Sequence, residues 1–450
     1  MAIAVYLLAA AWASAAAGDL DASFGTSGRF TQNFQIDTGV SSTDSAQDVV
    51  VRPDGQILIG GSTFVFDPPT LKDIEWVVLG LPPTGVPGPG GAVFSFADDP
   101  EHGANGLALQ PDGKLLLAGT TGSMGSNVVI DRLTTTGGYD SGFGTPGGHP
   151  VFDFAGSDGA GVGTDGAGDL VRQPDGSIVT AGYSDNQFGL VRVTSAGVLD
   201  NSFDGNGRKR VDFTGTVDGA TSVALSGSKI IAAGYTDSRF AILSLNSNGS
   251  VDSSFGVGTG RTESGVNELP QGANAVAVQS DGKILVAGPG NGNFGVGRVK
   301  TDGFYDPSFG PNGNGQVAID FGGNDVATAM TLQPDGKILV AGTDGDGFAV
   351  ARLMPNGALD PSFGTGGKAT VNFTGVDIAH GMALQPDGKI VLVGETGPAG
   401  GTTDYAVTRL LGDPAPVATP PVVAPKKKCK KKKHRATSAK KHKSCKKKRP

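Results

Sequence analysis

The chain has 450 residues, of which 74 are Gly, and its 43 acids include only 5 Glu (Glu75, Glu101, Glu263, Glu268, Glu395). Asp favours turns where Glu favours helices, so this balance excludes a mainly helical protein. The net charge of -7 hides a split: residues 426–450 hold 15 Lys and Arg and no acid, leaving -22 on the rest, and an acidic body disfavours nucleic acid as a partner.

The chain opens MAIAVYLLAAAWASAAAGDL. The apolar run Ile3–Trp12 precedes Ala13-Ser14-Ala15 and Ala15-Ala16-Ala17, small-residue patterns that suit export processing. Residues 1–17 therefore read as a signal peptide, although no Lys or Arg precedes the run. A retained anchor is the alternative, but the run is short for a membrane span.

Residues 18–412 repeat one phrase. It reads AQDVVVRPDGQILIGG at Ala46 and returns at Ala104, Ala167, Ala220, Ala273, Ala327 and Ala379, the sixth as ATAMTLQPDGKILVAG. Such a period indicates one repeat architecture. Gln-Pro-Asp-Gly-Lys between apolar runs is a tight hairpin, with Pro334 presetting the turn, Asp335 capping it and Gly336 at positive φ. Near-continuous runs such as Ile338-Leu339-Val340-Ala341 mean strands covered on both faces. With short connections, neighbouring sheets must supply the cover. The expectation is an all-β, seven-bladed β-propeller of four-stranded antiparallel blades, the first beginning with Gly28–Phe34 and the last ending with Tyr405–Leu410. The blade boundaries stay open by one strand.

The connector between units carries Asp-x-Ser-Phe-Gly, at Asp21, Asp252, Asp306 and Asp360, with variants at Asp140 and Asp200. The strand before it carries Arg132, Arg192, Arg298, Arg352 or Arg409. These read as structural Arg–Asp pairs, because buried charges are normally paired. The copy at Asp21 precedes the first unit and would serve the last. Asp252 lacks its Arg, since Ser244 stands there, and the first unit has Gly80 and no Asp.

LQPDGKILVAG, FAVARLMPNG and LDPSFGTGGK together resemble the delta-60 repeat family of bacterial exported proteins, over roughly Asp21 to Leu411. The resemblance implies a propeller-like array at the cell exterior and carries no catalytic residues. The chain departs from the pattern in insertions at Ser62–Ile74, Leu81–Gly91 and Ala155–Gly168.

Hairpins and connectors fall on one face, and loops of variable length on the other, which is the expected binding surface. There Asp185, Asp237, Asn291, Asp344 and Asp346 are oxygen donors for Ca²⁺ or, more simply, solvated turn residues. Phe188, Phe240, Phe294 and Phe348 read as core. His102, His149 and His380 fall at non-matching positions, and no nucleophile-elbow, zincin or P-loop motif occurs. No catalytic residue and no cofactor is assigned. The body has no Cys: Cys429 and Cys445 lie in the tail and are candidates for a disulfide, with a zinc site through His434 and His442 as a weaker reading.

Residues 413–425 form a Pro-rich linker of roughly 40 Å, and 426–450 a disordered Lys-rich tail suited to anionic cell-envelope polymers. The first functional reading is a monomeric, secreted or surface-associated, non-catalytic propeller, with an unknown protein or glycan on its variable face and no specific nucleic acid. The second is an extracellular enzyme acting on carbohydrate. A deep axial pocket with convergent carboxylates would favour the second.

Overall fold

The computed structural model describes residues 15–34, 41–67, 70–87, 93–96, 102–121, 127–144, 149–154, 164–237, 239–264 and 272–413. The chain divides into Met1–Pro414 and Ala415–Pro450. The second unit lies outside the described residues, together with Cys429, Cys445, the linker from residue 414 and the apolar run 3–12. So do residues 155–163 of the insertion Ala155–Gly168, the tip at 68–69 and the end of the Pro-rich connector at 88–92.

Every regular element among the described residues is a β-strand, and all pairs are antiparallel. The phrase at Ala46 gives β2 (Ser41–Val51) and β3 (Ile57–Asp67), followed by β4 (Thr70–Leu81) and β5 (Val93–Phe96), paired in that order. The insertion at Ser62–Ile74 is thus a lengthening of the β3–β4 hairpin. The next sheet is β6 (His102–Leu109), β7 (Leu115–Thr121), β8 (Asn127–Leu133) and β9 (Val151–Phe152). Then come β10 (Asp165–Arg172), β11 (Ile178–Ser184), β12 (Gln187–Val193) and β13 (Arg208–Val211). A fourth sheet holds β14 (Asp218–Ser226), β15 (Lys229–Thr236), β16 (Arg239–Leu245) and β17 (Arg261–Glu263).

The fifth and sixth phrases share one eight-stranded sheet. It contains β18 (Ala275–Val278), β19 (Ile284–Gly290), β20 (Asn293–Val299) and β21 (Gln316–Ile319), with β22 (Val326–Leu332), β23 (Ile338–Thr343), β24 (Phe348–Leu353) and β25 (Lys368–Val371). Its two halves are joined by the single pairing of Pro289 with Val326. The last sheet runs β26 (Val376–Leu384), β27 (Ile390–Gly397), β28 (Asp404–Leu410) and then β1 (Arg29–Gln32).

That last pairing sets the boundary left open by the sequence. Gly28–Phe34 does not begin the first unit: β1 lies against β28, Arg29 opposite Thr408 and Gln32 opposite Tyr405. The shift holds throughout, for β21 pairs with β20 and not with the hairpin that follows it. The cause is local. In the units that carry the Arg, the connector Asp is bound by the Arg of the strand just left, so the connector folds back and delivers the next strand to that strand's free edge.

The strand before each hairpin is therefore innermost. β2, β6, β10, β14, β18, β22 and β26 each contact the next, and β26 returns to β2. In the hairpins the Lys337 N–H donates to Asp335 Oδ1 at 3.1 Å, and Gly336 has φ 85°. Six apolar clusters are shared by two neighbouring sheets, and a seventh lies between the two halves of the eight-stranded sheet. Val179, Leu190 and Phe203 pack against Ile230, Ala232 and Leu243, and Leu339, Val350 and Phe363 against Ile390, Leu392 and Leu410. Mutual cover of this kind is what makes the strands apolar on both faces. Phe188, Phe240, Phe294 and Phe348 are fully buried in these clusters.

Phe24, from the N-terminal connector, sits between the last sheet and the first, with Phe34, Val77, Leu79, Leu81, Tyr405 and Val407. Phe24→Ala is expected to cost about 3–5 kcal/mol, the usual range for a buried Phe. Denaturant unfolding checks this; a loss below about 1 kcal/mol would mean that this joint is not tightly packed.

Candidate functional site

The repeated charges form staples between sheets. Arg132 and Asp140, Arg192 and Asp200, Arg298 and Asp306, Arg352 and Asp360, and Arg409 and Asp21 approach to 2.8–3.0 Å. The Asp also accepts from the Ser two residues on, as at Ser362 Oγ, 2.6 Å from Asp360 Oδ1. The guanidinium lies over the connector Phe, 4.9 Å from the ring of Phe363 and 4.6 Å from that of Phe309. Its remaining N–H donates across to the next unit: Arg132 Nη1 to Ser195 O at 2.8 Å and Arg298 Nη1 to Pro355 O at 2.6 Å. The connector Gly adds a backbone bond to the same turn, from Gly144 N–H to Ala196 O and from Gly310 N–H to Asn356 O.

The sequence reading missed a second cation. The hairpin Lys reaches the same carboxylate, in Lys114–Asp140, Lys283–Asp306, Lys337–Asp360 and Lys389–Asp21. This explains the unit that lacks Arg: Lys229 lies 2.6 Å from Asp252, and Ser244 Oγ donates to it at 2.9 Å.

The Ca²⁺ candidates lie in turns on the opposite face. Asp185, Asp237 and Asn291 have φ of 47°, 50° and 56°, the left-handed turn region. Asp185 pairs with Arg210 at 2.8 Å, and Asp237 Oδ1 accepts from Thr216 N–H and Oγ1. Asp344 Oδ1 accepts from the N–H groups of Asp346 and Gly347. Among the described residues no group of three His, Cys, Asp or Glu side chains is placed to hold a metal ion.

Two residues before the Ala of the phrase stands a further repeated Asp, which the sequence reading passed over. Asp44, Asp165, Asp218, Asp325 and Asp377 are buried, and Oδ2 of each accepts the N–H of a Phe ending the preceding outer strand, as from Phe34 at 2.7 Å and Phe373 at 2.6 Å. Thr63 and Thr396 donate to Asp44 and Asp377. Burial outweighs these bonds and raises the Asp44 carboxyl to about 6.

The innermost strands enclose an axial cavity of about 610 Å³, nearer the variable loops than the hairpins. Its wall is built from the residues just after the Ala of each phrase. There the strand register slips, between Ala46 and Asp48, Ala104 and Gly106, Ala167 and Asp169, Ala220 and Ser222, Ala327 and Ala329, and Ala379 and Gly381. A β-bulge leaves one residue unpaired and re-aims its side chain. The bulged residues are Gln47, Asn105, Gly168, Thr221, Thr328 and His380, with Asn274 at the matching place in the fifth phrase. Several reach the next unit: Asn105 Nδ2 donates to Ala167 O and Asn274 Nδ2 to Ala327 O, each at 2.8 Å, and Thr328 Oγ1 to Ala379 O at 2.7 Å.

Asp48 and Asp169 line the same cavity. Asp48 Oδ2 accepts from Leu107 N–H and Oδ1 from Val49 N–H, both at 2.7 Å. Asp169 accepts from Leu170 N–H, Val223 N–H and Ser222 Oγ at 2.6–3.0 Å. Gly106 and Gly381 let them in: a Cβ on Gly106 would lie 2.9 Å from Asp169 Cα, and one on Gly381 3.0 Å from Asp48 Cα. Burial, with the neighbouring charge of Asp169, pushes the Asp48 carboxyl up to about 7, and burial raises Asp169 as well. His380 faces Glu395 at 3.7 Å, Tyr183 and Tyr235 complete the wall, and no described lining residue is Lys or Arg. Of the other histidines, His149 lies 3.2 Å from Asp131, and His102 opens β6.

The staples carry an acid limit. Burial works to raise the Asp360 carboxyl, but Ser362, Lys337 and Arg352 together pull it down to about 2 from 3.8. A depressed carboxyl gives stability above the unfolded value that is lost as pH falls through the folded one. Unfolding free energy should therefore fall between pH 4 and 2, by about 2 kcal/mol per such Asp. Asp360→Asn should be less stable at pH 6 and show a shallower slope in that window. Urea titrations at each pH decide it: an unchanged slope would remove Asp360 from the acid response.

Five segments match the family model described as a β-propeller domain of unknown function (DUF5122): residues 173–203, 228–255, 279–309, 333–363 and 385–413. No curated protein matches the chain. Among solved structures it is similar to virginiamycin B lyase from Staphylococcus aureus, at 12% identity and a TM-score of 0.45 over 82% of this chain and 98% of that one. A protein of unknown function from Dyadobacter fermentans gives 10% identity and 0.46 over 86% and 98%. A putative 6-phosphogluconolactonase from Bacteroides uniformis gives 13% and 0.45 over 80% and 98%. Over these five segments the chain carries a β-propeller repeat.

Proposed function

We propose that this chain is an exported, non-catalytic binding protein. In this reading it is a seven-bladed β-propeller that holds a neutral or amine-bearing glycan unit in its axial cavity, and its basic tail tethers it to anionic envelope polymers. The count of seven divides the eight-stranded sheet at the Pro289–Val326 pairing, and the likeness to delta-60 repeats belongs to the same reading. The observation that carries it is the bulged ring. The hairpin and connector residues recur and are consumed by turns and staples, whereas the bulged position differs from copy to copy and faces the cavity.

The chemistry of the wall selects the ligand. The amide groups of Asn105 and Asn274 donate their N–H to backbone carbonyls, and that of Gln47 to Ser45 Oγ. Their oxygens remain to accept. With no Lys or Arg among the described residues of the wall, an anionic ligand would find no countercharge there, and a donor-rich one is favoured.

A second reading, an extracellular enzyme acting on carbohydrate, draws on Asp48. A carboxyl titrating near 7 keeps a proton at neutral pH and suits a general acid. Against it, both oxygens of Asp48 and of Asp169 already accept backbone N–H bonds. That occupation is the mark of a structural carboxylate, and the binding reading is the better supported.

A glycan screen by calorimetry, with product analysis by mass spectrometry, separates the two. Binding without turnover is expected, with Gln47→Ala weakening it roughly tenfold, the loss of about one hydrogen bond to the ligand. Turnover abolished by Asp48→Asn would replace the binding reading with the enzyme. For the tether, full-length protein should stay on isolated envelopes at low salt and leave as salt rises, while a chain ending at Asp413 should not be retained. Equal retention of the two would remove the tail's role.

A further inference from the structure

The two ends of the body meet inside one turn. In the sixth unit Met354–Ala358 forms a short turn, with Met354 N–H donating to Ala358 O at 2.7 Å and Gly357 N–H to Met354 O at 2.9 Å. The same two bonds recur at Thr134–Gly138, Thr194–Val198, Asn246–Ser250 and Lys300–Phe304. In the last sheet the turn is assembled from separate pieces. Leu411 N–H donates to Asp19 O, and Gly18 N–H to Leu411 O, both at 2.8 Å. Gly18 has φ 91° and Gly357 88°.

The residue before that glycine has a fixed task, because its carbonyl takes the connector N–H of the preceding sheet. Asn356 O receives Gly310 N–H at 2.9 Å, Asp302 O receives Gly256 N–H at 3.0 Å, and Ala17 O receives Gly364 N–H at 2.8 Å. Ala17 is 5% exposed and packs with Leu339, Phe363 and Leu410.

Two small-residue patterns offer an export peptidase a cut, after Ala15 or after Ala17. We infer that the cut falls after Ala15 and that the mature chain begins at Ala16; this rests on the export reading above. Hydrolysis of the Ala15–Ala16 amide consumes one water, leaves a carboxylate on Ala15 of the leader and frees the Ala16 amine, which takes up a proton. The Ala16 nitrogen already lies 2.6 Å from Asp19 Oδ2, so the new ammonium gains a charge-assisted partner. A cut after Ala17 would remove a buried methyl group and leave the Gly364 N–H without its acceptor.

Intact mass and N-terminal sequencing of the exported protein test the assignment. A start at Ala16 is expected. A cut elsewhere overturns this assignment alone, and a chain never cut overturns it together with the export reading. A second measurement does not depend on export. Chains released from a fusion so as to begin at Ala16 or at Gly18, and otherwise complete, are compared by amide exchange and melting. The Gly18 form should exchange its Gly364 amide roughly tenfold faster and melt lower. Equal exchange in the two forms would overturn the inference.

Discussion

The structure depends on a guanidinium held between a carboxylate and a ring. Apolar cover between sheets is non-directional and fixes neither the height nor the tilt of one sheet on the next. The Arg does. In Arg298 its own Asp306 and the connector Phe309 lock it in one plane, and the N–H left over reaches the Pro355 carbonyl of the neighbouring turn. Buried ion pairs of this kind are weak sources of net stability and costly to break. The staple therefore acts on geometry. The hairpin Lys shares the carboxylate, and the unit with Ser244 in place of Arg keeps its connector bound through Lys229.

The two ends of the strands do different work. At the hairpin end, turns, staples and connector bonds consume the repeated residues, so that end is nearly uniform. At the other end a buried Asp ties the tip of an outer strand to the start of the next inner strand, and the loops beyond it are free to differ. The cavity opens among positions that neither system uses. That placement follows from the bulges, since a residue left out of the ladder is the one the sheet can spare.

Much of this was legible in the residues. Pro334-Asp335-Gly336 marked its hairpin, and the spacing of Arg352 and Asp360 marked their pairing, because both act within one unit. The pairing of β1 with β28 was not legible, since it depends on which strand edge is free after the connector folds back. Asp44 and its counterparts escaped notice because an Asp beside a variable loop looks like any turn residue, and His102 interrupts the series. The axial ring gave no signal for a related reason: Gln47, Asn105, Thr221 and His380 share a place and no chemistry. The insertions stood out more plainly, and the one at Ser62–Ile74 only lengthens a hairpin.

The bulge in the inner strands has a consequence for how such a protein can change over generations. A substitution at a buried paired position disturbs the packing between neighbours, and one at a staple disturbs two units. A substitution at Gln47 or Asn105 alters neither the register nor the face the strand presents. The pocket can thus drift in size, polarity and charge with the ladder unchanged, most freely at Gln47 and least where a bulged side chain bonds the next unit, as Asn105 does.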